Sequence, residues 1–136
     1  MNCWVGGIGW DQSGSWRPND PSGWLVYMKQ SDMNDPGPSQ TWVLLDERED
    51  SINDGYFIVD MSGYADNPSR DMLVDYPGAY HNRAASFSFA DGHGELKRWV
   101  DDRTTPPLVR GQNLRQNIPS ANNRDIQWMQ ERSTRR

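Results

Sequence analysis

The sequence predicts an α+β domain rich in β-structure: a small antiparallel sheet with a C-terminal hairpin, long loops and a short C-terminal helix. Three observations lead to this prediction. Only 35% of the 136 residues are apolar, yet seven are Trp, five Tyr and three Phe, whereas disordered chains are poor in aromatic residues. Twelve Gly and nine Pro are typical of turns. The length suits one domain with a modest core.

The first forty residues predict loops around one strand. Residues 1–22 show no periodicity and predict a loop pinned by its three tryptophans, Trp4, Trp10 and Trp16. Residues 23–29 (GWLVYMK) form a short apolar run that predicts a strand. The connection that follows contains Pro36 and Pro38, which exclude regular structure.

Two further strands are predicted before the middle of the chain. Residues 41–47 (TWVLLDE) combine β-branched and aromatic side chains and turn charged at Asp46. Residues 56–61 (YFIVDM) form a second run of the same type. Residues 62–80 have no such pattern, so we expect an irregular excursion there.

The clearest local pattern is a hairpin. Residues 86–89 alternate Ser and Phe, and Asp91 with Gly92 predicts a two-residue turn with positive φ angles. The returning strand then places Leu96 on the face of the two phenylalanines. Strict alternation places Trp99 on the opposite face, which requires either a bulge or partial cover on both faces.

The end of the chain predicts a linker and a short helix. Residues 101–122 suggest an extended linker, and Asn123 is a candidate cap for a helix with Ile126, Met129 and Gln130 on one side. The expected organisation is therefore a globular head over 1–100, the linker over 101–122, and a helix with a basic tail over 123–136.

Charge is unevenly distributed along the chain. Residues 1–97 carry six basic and fifteen acidic side chains, whereas residues 98–136 carry eight Arg and four acids. An acidic body repels phosphate backbones, so no nucleic-acid partner is expected. The basic end fits a solvated tail or a strip that docks on an acidic surface.

Cysteine content and hydropathy narrow the class of protein further. Cys3 is the single cysteine, which excludes an intrachain disulfide and a thiolate metal cluster. No apolar run approaches the roughly 18 residues of a membrane span. The chain as written also has no targeting signal at its start.

His81, Asp91 and His93 form one candidate metal site. Two imidazoles and a carboxylate would suit zinc or another divalent metal, and they would make the protein a metal-dependent enzyme. However, an extended strand of nine residues would separate the two histidines by roughly 30 Å. The alternative is that His81 bonds a neighbouring loop, near Asp46 or Asp50, while Asp91 and Gly92 form the turn.

An acidic loop provides a second candidate site. Oxygen-bearing side chains suited to calcium are concentrated within nine residues, where Glu49 lies among five candidate ligands: Asp46, Glu47, Asp50, Asn53 and Asp54. Their spacing does not match an EF-hand, because Ile52 and Met61 fall where carboxylates are needed. The alternative is a polar connection whose side chains bond their own backbone.

Nucleophilic catalysis has no motif to support it, since neither G-x-S-x-G nor a glycine-rich phosphate loop is present. Seven tryptophans suit either a core or a glycan-binding or protein-binding face. The motifs alone therefore do not favour nucleophilic catalysis.

Three segments together resemble a large bacterial family of pilin-like proteins. The segments are LLDEREDSINDGYF (44–57), HNRAASFSFADGH (81–93) and NRDIQWMQERST (123–134). The family has a prepilin-type cleavage and methylation leader and a C-terminal domain marked by His, nine residues and Asp-Gly. Here the motif residues are His81, Asp91 and Gly92.

The resemblance implies a pseudopilin. In such a protein, a long N-terminal apolar helix anchors a soluble globular head in the membrane or filament. In such heads a small antiparallel sheet packs on the C-terminal half of the helix. In related major pseudopilins a loop near the C-terminus binds calcium, which favours calcium as a cofactor of the acidic loop. The implied partners are other pilin-like subunits or components of a type II secretion system, at the inner membrane, periplasm or cell surface.

This sequence lacks the leader and the helix, and Met1 matches an interior methionine of the family pattern. Contact with a membrane would therefore depend on a helix missing from this chain. We also expect some apolar surface, normally covered by that helix, to be exposed or covered by the N-terminal loop. The expected role is a non-enzymatic structural or assembly subunit.

Overall fold

The fold is that of a small β-rich α+β domain, seen in a computed structural model that describes residues 1–6 and 23–136. The strands are β1 (Trp42–Leu45), β2 (Met72–Leu73), β3 (Ala84–Phe89), β4 (Gly94–Arg98) and β5 (Ile118–Pro119), and the helix is α1 (Arg124–Gln130). Two single turns of 3₁₀ helix, Gln30–Asp32 and Pro68–Arg70, lie in the connections. The predicted fold class is confirmed at this level, namely antiparallel strands with one short C-terminal helix.

The strands form two antiparallel sheets. One has the order β1-β3-β4, so that β3 is central, and the other pairs β2 with β5. The β1–β3 register shifts between Trp42 and Leu44, where the strand carries an irregularity. The sequence analysis missed the β2–β5 sheet. A strand of two residues is too short to show an alternating pattern, and the two strands lie more than forty residues apart in the chain.

The β3–β4 hairpin is confirmed, but its predicted turn and faces are wrong. The N–H of Phe89 donates to the carbonyl of His93 (2.9 Å), so the loop has three residues instead of two. Of these three, only Gly92 has a positive φ (95°), which matches a type I turn followed by a left-handed residue. One extra loop residue shifts the register by one and exchanges the faces. Leu96 is therefore exposed, whereas Trp99 is buried.

The predicted strands at 23–29 and 56–61 are each reduced to isolated bridges. Tyr27 bridges to Val5, and Phe57 bridges to Asn2, both in parallel. Residues 1–6 run between these two segments, and the backbone bonds to each are few. A short apolar run has the same sequence pattern whether it is a hydrogen-bonded strand or a buried extended segment, so the pattern alone could not separate the two. Of the predicted N-terminal loop, only Trp4 can be placed, since Trp10 and Trp16 lie outside the described residues.

The core is aromatic and centres on Trp42, which is fully buried. Its ring meets Phe87 edge-on with centroids 5.6 Å apart, and it meets Phe57 in the same way at 6.0 Å. Phe87 also contacts Trp99 and Trp128 at 6.0 and 5.1 Å. Edge-to-face contacts of this kind stabilise a core beyond the area they bury. Large rings thus form the centre of a core that aliphatic and methionine side chains complete.

Helix α1 begins where the sequence predicts. The side chain of Asn123 accepts hydrogen bonds from the backbone N–H groups of Asp125 (2.9 Å) and Ile126 (3.3 Å). Ile126, Met129 and Gln130 are all buried, which confirms the predicted inner side. Asp125 is buried as well and accepts from the N–H of residues 100 and 101, so it joins the helix to the end of β4.

Candidate functional site

The Asp91 end of the His/Asp-Gly motif forms the tip of the β3–β4 hairpin. Oδ1 of Asp91 accepts from the backbone N–H of His93 at 3.1 Å and lies 2.6 Å from Nδ1 of its ring. The hydrogen bond from the His93 ring holds the pKa of Asp91 below its usual value. The same ring stacks on Phe89 at 4.3 Å. These contacts close the turn and occupy the side chains that a metal would need.

The His81 end of the motif lies at the opposite end of β3. His81 is exposed in a turn, followed by Asn82 and Arg83 at positive φ angles of 55° and 62°. The six residues of β3 separate it from the hairpin tip. The structure therefore does not bring His81 to His93, and within the described ranges no group of three His, Cys, Asp or Glu side chains could hold a metal.

The predicted contact of His81 with the loop near Asp46 or Asp50 is not formed, and a neighbouring residue holds the turn instead. His81 makes no hydrogen bond or ion pair with the part of the chain that the structure describes. The neighbouring Tyr80 makes the contact, because its hydroxyl donates to the carboxylate of Glu49. An acidic residue of the predicted loop does hold the turn, but through a tyrosine that the motif does not include.

The side chains of the acidic loop turn toward different partners. Oδ2 of Asp46 accepts from the N–H of Ser86 at 3.1 Å, and Oδ1 of Asp54 accepts from the N–H of Tyr56 at 2.7 Å. Asn53 is exposed. The structure therefore does not gather Asp46, Glu47, Asp50, Asn53 and Asp54 around one point. Calcium binding by these residues stays a prediction.

Asp50 belongs to a buried ion pair that sequence reasoning missed. Its two carboxylate oxygens accept from Nε and Nη2 of Arg48 at 2.6 and 2.7 Å. Nη1 of Arg48 donates to the carbonyl of Pro106, and Asp50 accepts from the N–H of Val109. Burial alone would raise the pKa of Asp50, but these bonds outweigh it and hold the pKa below its usual value. The pair fastens the segment predicted as a linker to the body.

A second missed feature is a pair of carboxyls with raised pKa values. Burial, and after it the charge of Asp75, raise the pKa of Glu47 to about 7. Burial also raises the pKa of Asp75 to about 6, although Asp75 accepts from Ile58 N–H and Gln116 Nε2. Oε1 of Glu47 is buried without a hydrogen-bond partner. The sequence contains one indication of this burial, because Asp75 directly follows the apolar residues Leu73 and Val74.

The described tryptophans do not form a binding face. Trp4, Trp24, Trp42 and Trp99 are buried, and Trp128 packs half-buried against the core. Three of their indole N–H groups donate inside the protein, to Val59 O, Ser133 Oγ and Gly78 O. Flat rings that stack on sugars need to be exposed, so five of the seven tryptophans are unavailable for glycan binding.

The three-stranded sheet has an outer face that the core does not cover. Leu44 of β1 pairs with Ser88, and Leu96 of β4 pairs with Ser86, so these four side chains share one face. Leu44 is 51% exposed and Leu96 is 64% exposed. We call these four residues the outer face. The outer face thus presents two exposed leucines on either side of two serines.

Comparisons with protein-family models, with curated proteins and with solved structures find no match for this chain. Within residues 1–6 and 23–136, no helix combines the length and the apolar character needed to cross a bilayer.

Proposed function

We propose that this chain is the globular head of a pilin-like, non-enzymatic subunit of a secretion or type IV pilus-like system. The support from sequence is the order of the three segments 44–57, 81–93 and 123–134. Its partners would be other pilin-like subunits or secretion-system components. The longer protein would be located at the inner membrane, in the periplasm or at the cell surface.

The outer face is the observation that carries this proposal. A pilin-like head needs a small antiparallel sheet with one face free to receive the C-terminal half of a long apolar helix. The outer face offers the exposed Leu44 and Leu96 on either side of Ser86 and Ser88, and we expect a helix with small and apolar side chains to pack on them. Isolated exposed leucines need no explanation, but two on one sheet face with small residues between them form a surface that a helix can cover.

The competing functions find less support in the same structure. A metal-dependent enzyme at His81, Asp91 and His93 would need residues that lie at opposite ends of β3. A glycan-binding module would need exposed tryptophans, and those described are buried or half-buried. The structural subunit requires neither feature.

The first experiment is to determine the DNA sequence upstream of codon 1. An in-frame prepilin leader followed by an apolar helix is the expected result. A stop codon directly upstream, with no helix encoded, would overturn the proposal.

The second experiment measures whether such a helix covers the outer face. Leu96→Cys introduces a reactive thiol, whereas the native Cys3 is fully buried and burial raises its pKa, so it stays unreactive. Maleimide labelling of Leu96→Cys should be fast in the present chain and at least roughly tenfold slower in the longer protein. Ile52→Cys, which is exposed on a loop away from the sheet, should label equally fast in both. Equal rates at Leu96→Cys in the two proteins would refute this use of the face.

A further inference from the structure

The two edges of the three-stranded sheet differ. At the β1 edge, the N–H of Asn2 donates to the carbonyl of Val43 (2.8 Å), and the N–H of Trp42 donates to the carbonyl of Arg132 (3.2 Å). Both chain ends therefore cover that edge. At the β4 edge, residues Gly94–Arg98 are exposed except for Lys97, and none of the described segments pairs with it. An unpaired strand edge is a template for another strand.

The register shows which backbone groups of β4 point outward. Phe89 pairs with His93 and Trp99 pairs with Arg83 through hydrogen bonds of 2.9 and 2.8 Å. Hydrogen-bonded pairs alternate in an antiparallel ladder, so the amides of Glu95 and Lys97 face β3. The N–H and C=O groups of Leu96 therefore point to the open edge. Those of Gly94 and Arg98 point the same way, but the Arg98 carbonyl already accepts from Nζ of Lys97 at 2.8 Å.

We propose that β4 pairs in antiparallel fashion with β4 of a second copy of this chain, with Leu96 opposite Leu96. The sequence of the strand, GELKR, is complementary to itself in this register. Glu95 faces Lys97 of the other copy, and Gly94 faces Arg98. No like charges meet, and the one apolar side chain meets its own counterpart across the two-fold axis.

Backbone geometry agrees with this register. Because both amide groups of Leu96 point outward, the central pair exchanges two N–H···O bonds, which is one of the two pair types of an antiparallel ladder. The Glu95–Lys97 pairs are then of the closer type, with Cβ atoms roughly 4.5–5.5 Å apart. Glu95 forms no ion pair within the described ranges, whereas Lys97 is held by Asp125 at 3.1 Å. The Glu95 carboxylate is therefore open to a second copy, and the Lys97 side chain opposite it is held in one orientation by its own chain.

The strand also lacks the features that protect edges from pairing. It contains neither Pro nor a bulge, and its pairing with β3 is regular over all five residues. Lys97 is the residue type that most often blocks edges. Its amine lies against the Trp99 and Trp128 rings and bonds Asp125 and the Arg98 carbonyl, so it does not extend freely from the edge. Pairing would join two sheets into one of six strands and make the two outer faces continuous.

The contact is small, so we expect a weak dimer with a dissociation constant on the order of 0.1–1 mM for the isolated chain. The inference does not depend on the pilin-like proposal, because it uses only the edge of β4. A filament or any other close array of subunits would raise the local concentration and favour the pair.

The test is sedimentation of the full chain at rising concentration, together with hydrogen exchange of the Leu96 amide. The native chain should dimerise, and exchange at Leu96 should slow by about twofold to fivefold at a chain concentration of about 1 mM, in proportion to the monomer fraction. Leu96→Pro removes one outward N–H that β3 does not use, which an edge strand tolerates. It should weaken dimerisation at least tenfold. Leu44→Thr is the matched control, because it removes a leucine from the same face away from the edge.

Three results would overturn the inference. The first is a chain that stays monomeric up to millimolar concentration. The second is dimerisation unchanged by Leu96→Pro, and the third is dimerisation lost equally in Leu44→Thr, which would indicate face-to-face contact. If Leu96→Pro fails to fold, Glu95→Lys serves instead, because it places Lys opposite Lys97 and should weaken the dimer while Glu95→Gln weakens it less.

Discussion

Replacing Glu47 by glutamine should change how stability depends on pH. The pKa of Glu47 is raised from 4.5 to about 7, mainly by burial and then by the Asp75 carboxylate. A raised carboxyl pKa means that the folded state keeps its proton at a pH where the unfolded state has lost it. The associated stability is fully present below about pH 4.5 and is lost as pH rises through about 7. A glutamine side chain is neutral at every pH of the experiment, so the Glu47→Gln variant lacks this loss.

The magnitude follows from the shift and the exposure of the side chain. One pKa unit corresponds to about 1.4 kcal/mol, so a shift from 4.5 to about 7 corresponds to at most about 3 kcal/mol. Glu47 is only partly buried, so solvent screening reduces this value by roughly half. Between pH 5 and pH 8, the native chain should therefore lose about 1–2 kcal/mol of unfolding free energy relative to Glu47→Gln.

The assay is urea unfolding at pH 5 and pH 8, followed by tryptophan fluorescence, because buried tryptophans report the loss of the core. The quantity compared is the difference between native and variant at each pH, which removes every contribution common to both, including the two histidines. Glu95→Gln makes the same chemical change at an exposed position and should shift stability by the same amount at both pH values.

Parallel pH profiles for the native chain and Glu47→Gln would refute the reasoning. They would mean that Glu47 is as well solvated in the folded state as in the unfolded chain. A difference of the opposite sign, with the variant relatively less stable at pH 8, would mean that the carboxylate has a cationic partner that outweighs its burial.

Two further predictions concern local structure. Gly92→Ala should lower the free energy of unfolding by about 1–2 kcal/mol, because residue 92 has a φ of 95° that strains any residue with a Cβ. The control is Gly37→Ala, which has open space around it. Equal melting temperatures for the two variants would contradict the three-residue turn. Arg48→Ala should cost about 3–5 kcal/mol, because it leaves the Asp50 carboxylate buried without its charge partner, whereas Arg48→Ala combined with Asp50→Ala should cost less than Arg48→Ala alone. Thermal melting checks the first, and a double-mutant cycle by urea unfolding checks the second.

Local chemistry made several elements predictable. Asn123 could be identified as a cap because its partners lie two and three residues ahead, and the hairpin could be identified because alternation and Asp91-Gly92 occur within one short stretch. Residues 42–45 were predictable for the same reason, as β-branched and aromatic side chains favour a pleated strand. Each of these features depends on residues close in sequence.

The candidate sites were less predictable because they depend on distant partners. The five oxygen-bearing side chains of the acidic loop are close in sequence, yet Asp46 bonds to Ser86 and Asp50 binds Arg48 and the segment near Val109. Asp75 has a raised pKa mainly because the fold buries it, and its charge in turn raises the pKa of Glu47. Proximity in sequence cannot show which direction a side chain takes when the competing partners are forty or more residues away.

The sequence by itself determined a β-rich domain with an aromatic core, a hairpin after residue 84 and a capped C-terminal helix, because composition, alternation and capping act over a few residues. Only the tertiary structure decided which face of the hairpin is buried. A two-residue loop and a three-residue loop are both compatible with Asp91-Gly92, and the choice reverses every side chain on the returning strand. Burying Trp99 against Phe87 removes more apolar surface from water than burying Leu96 would. That choice leaves Leu96 on the open face and edge, where both proposals place a partner.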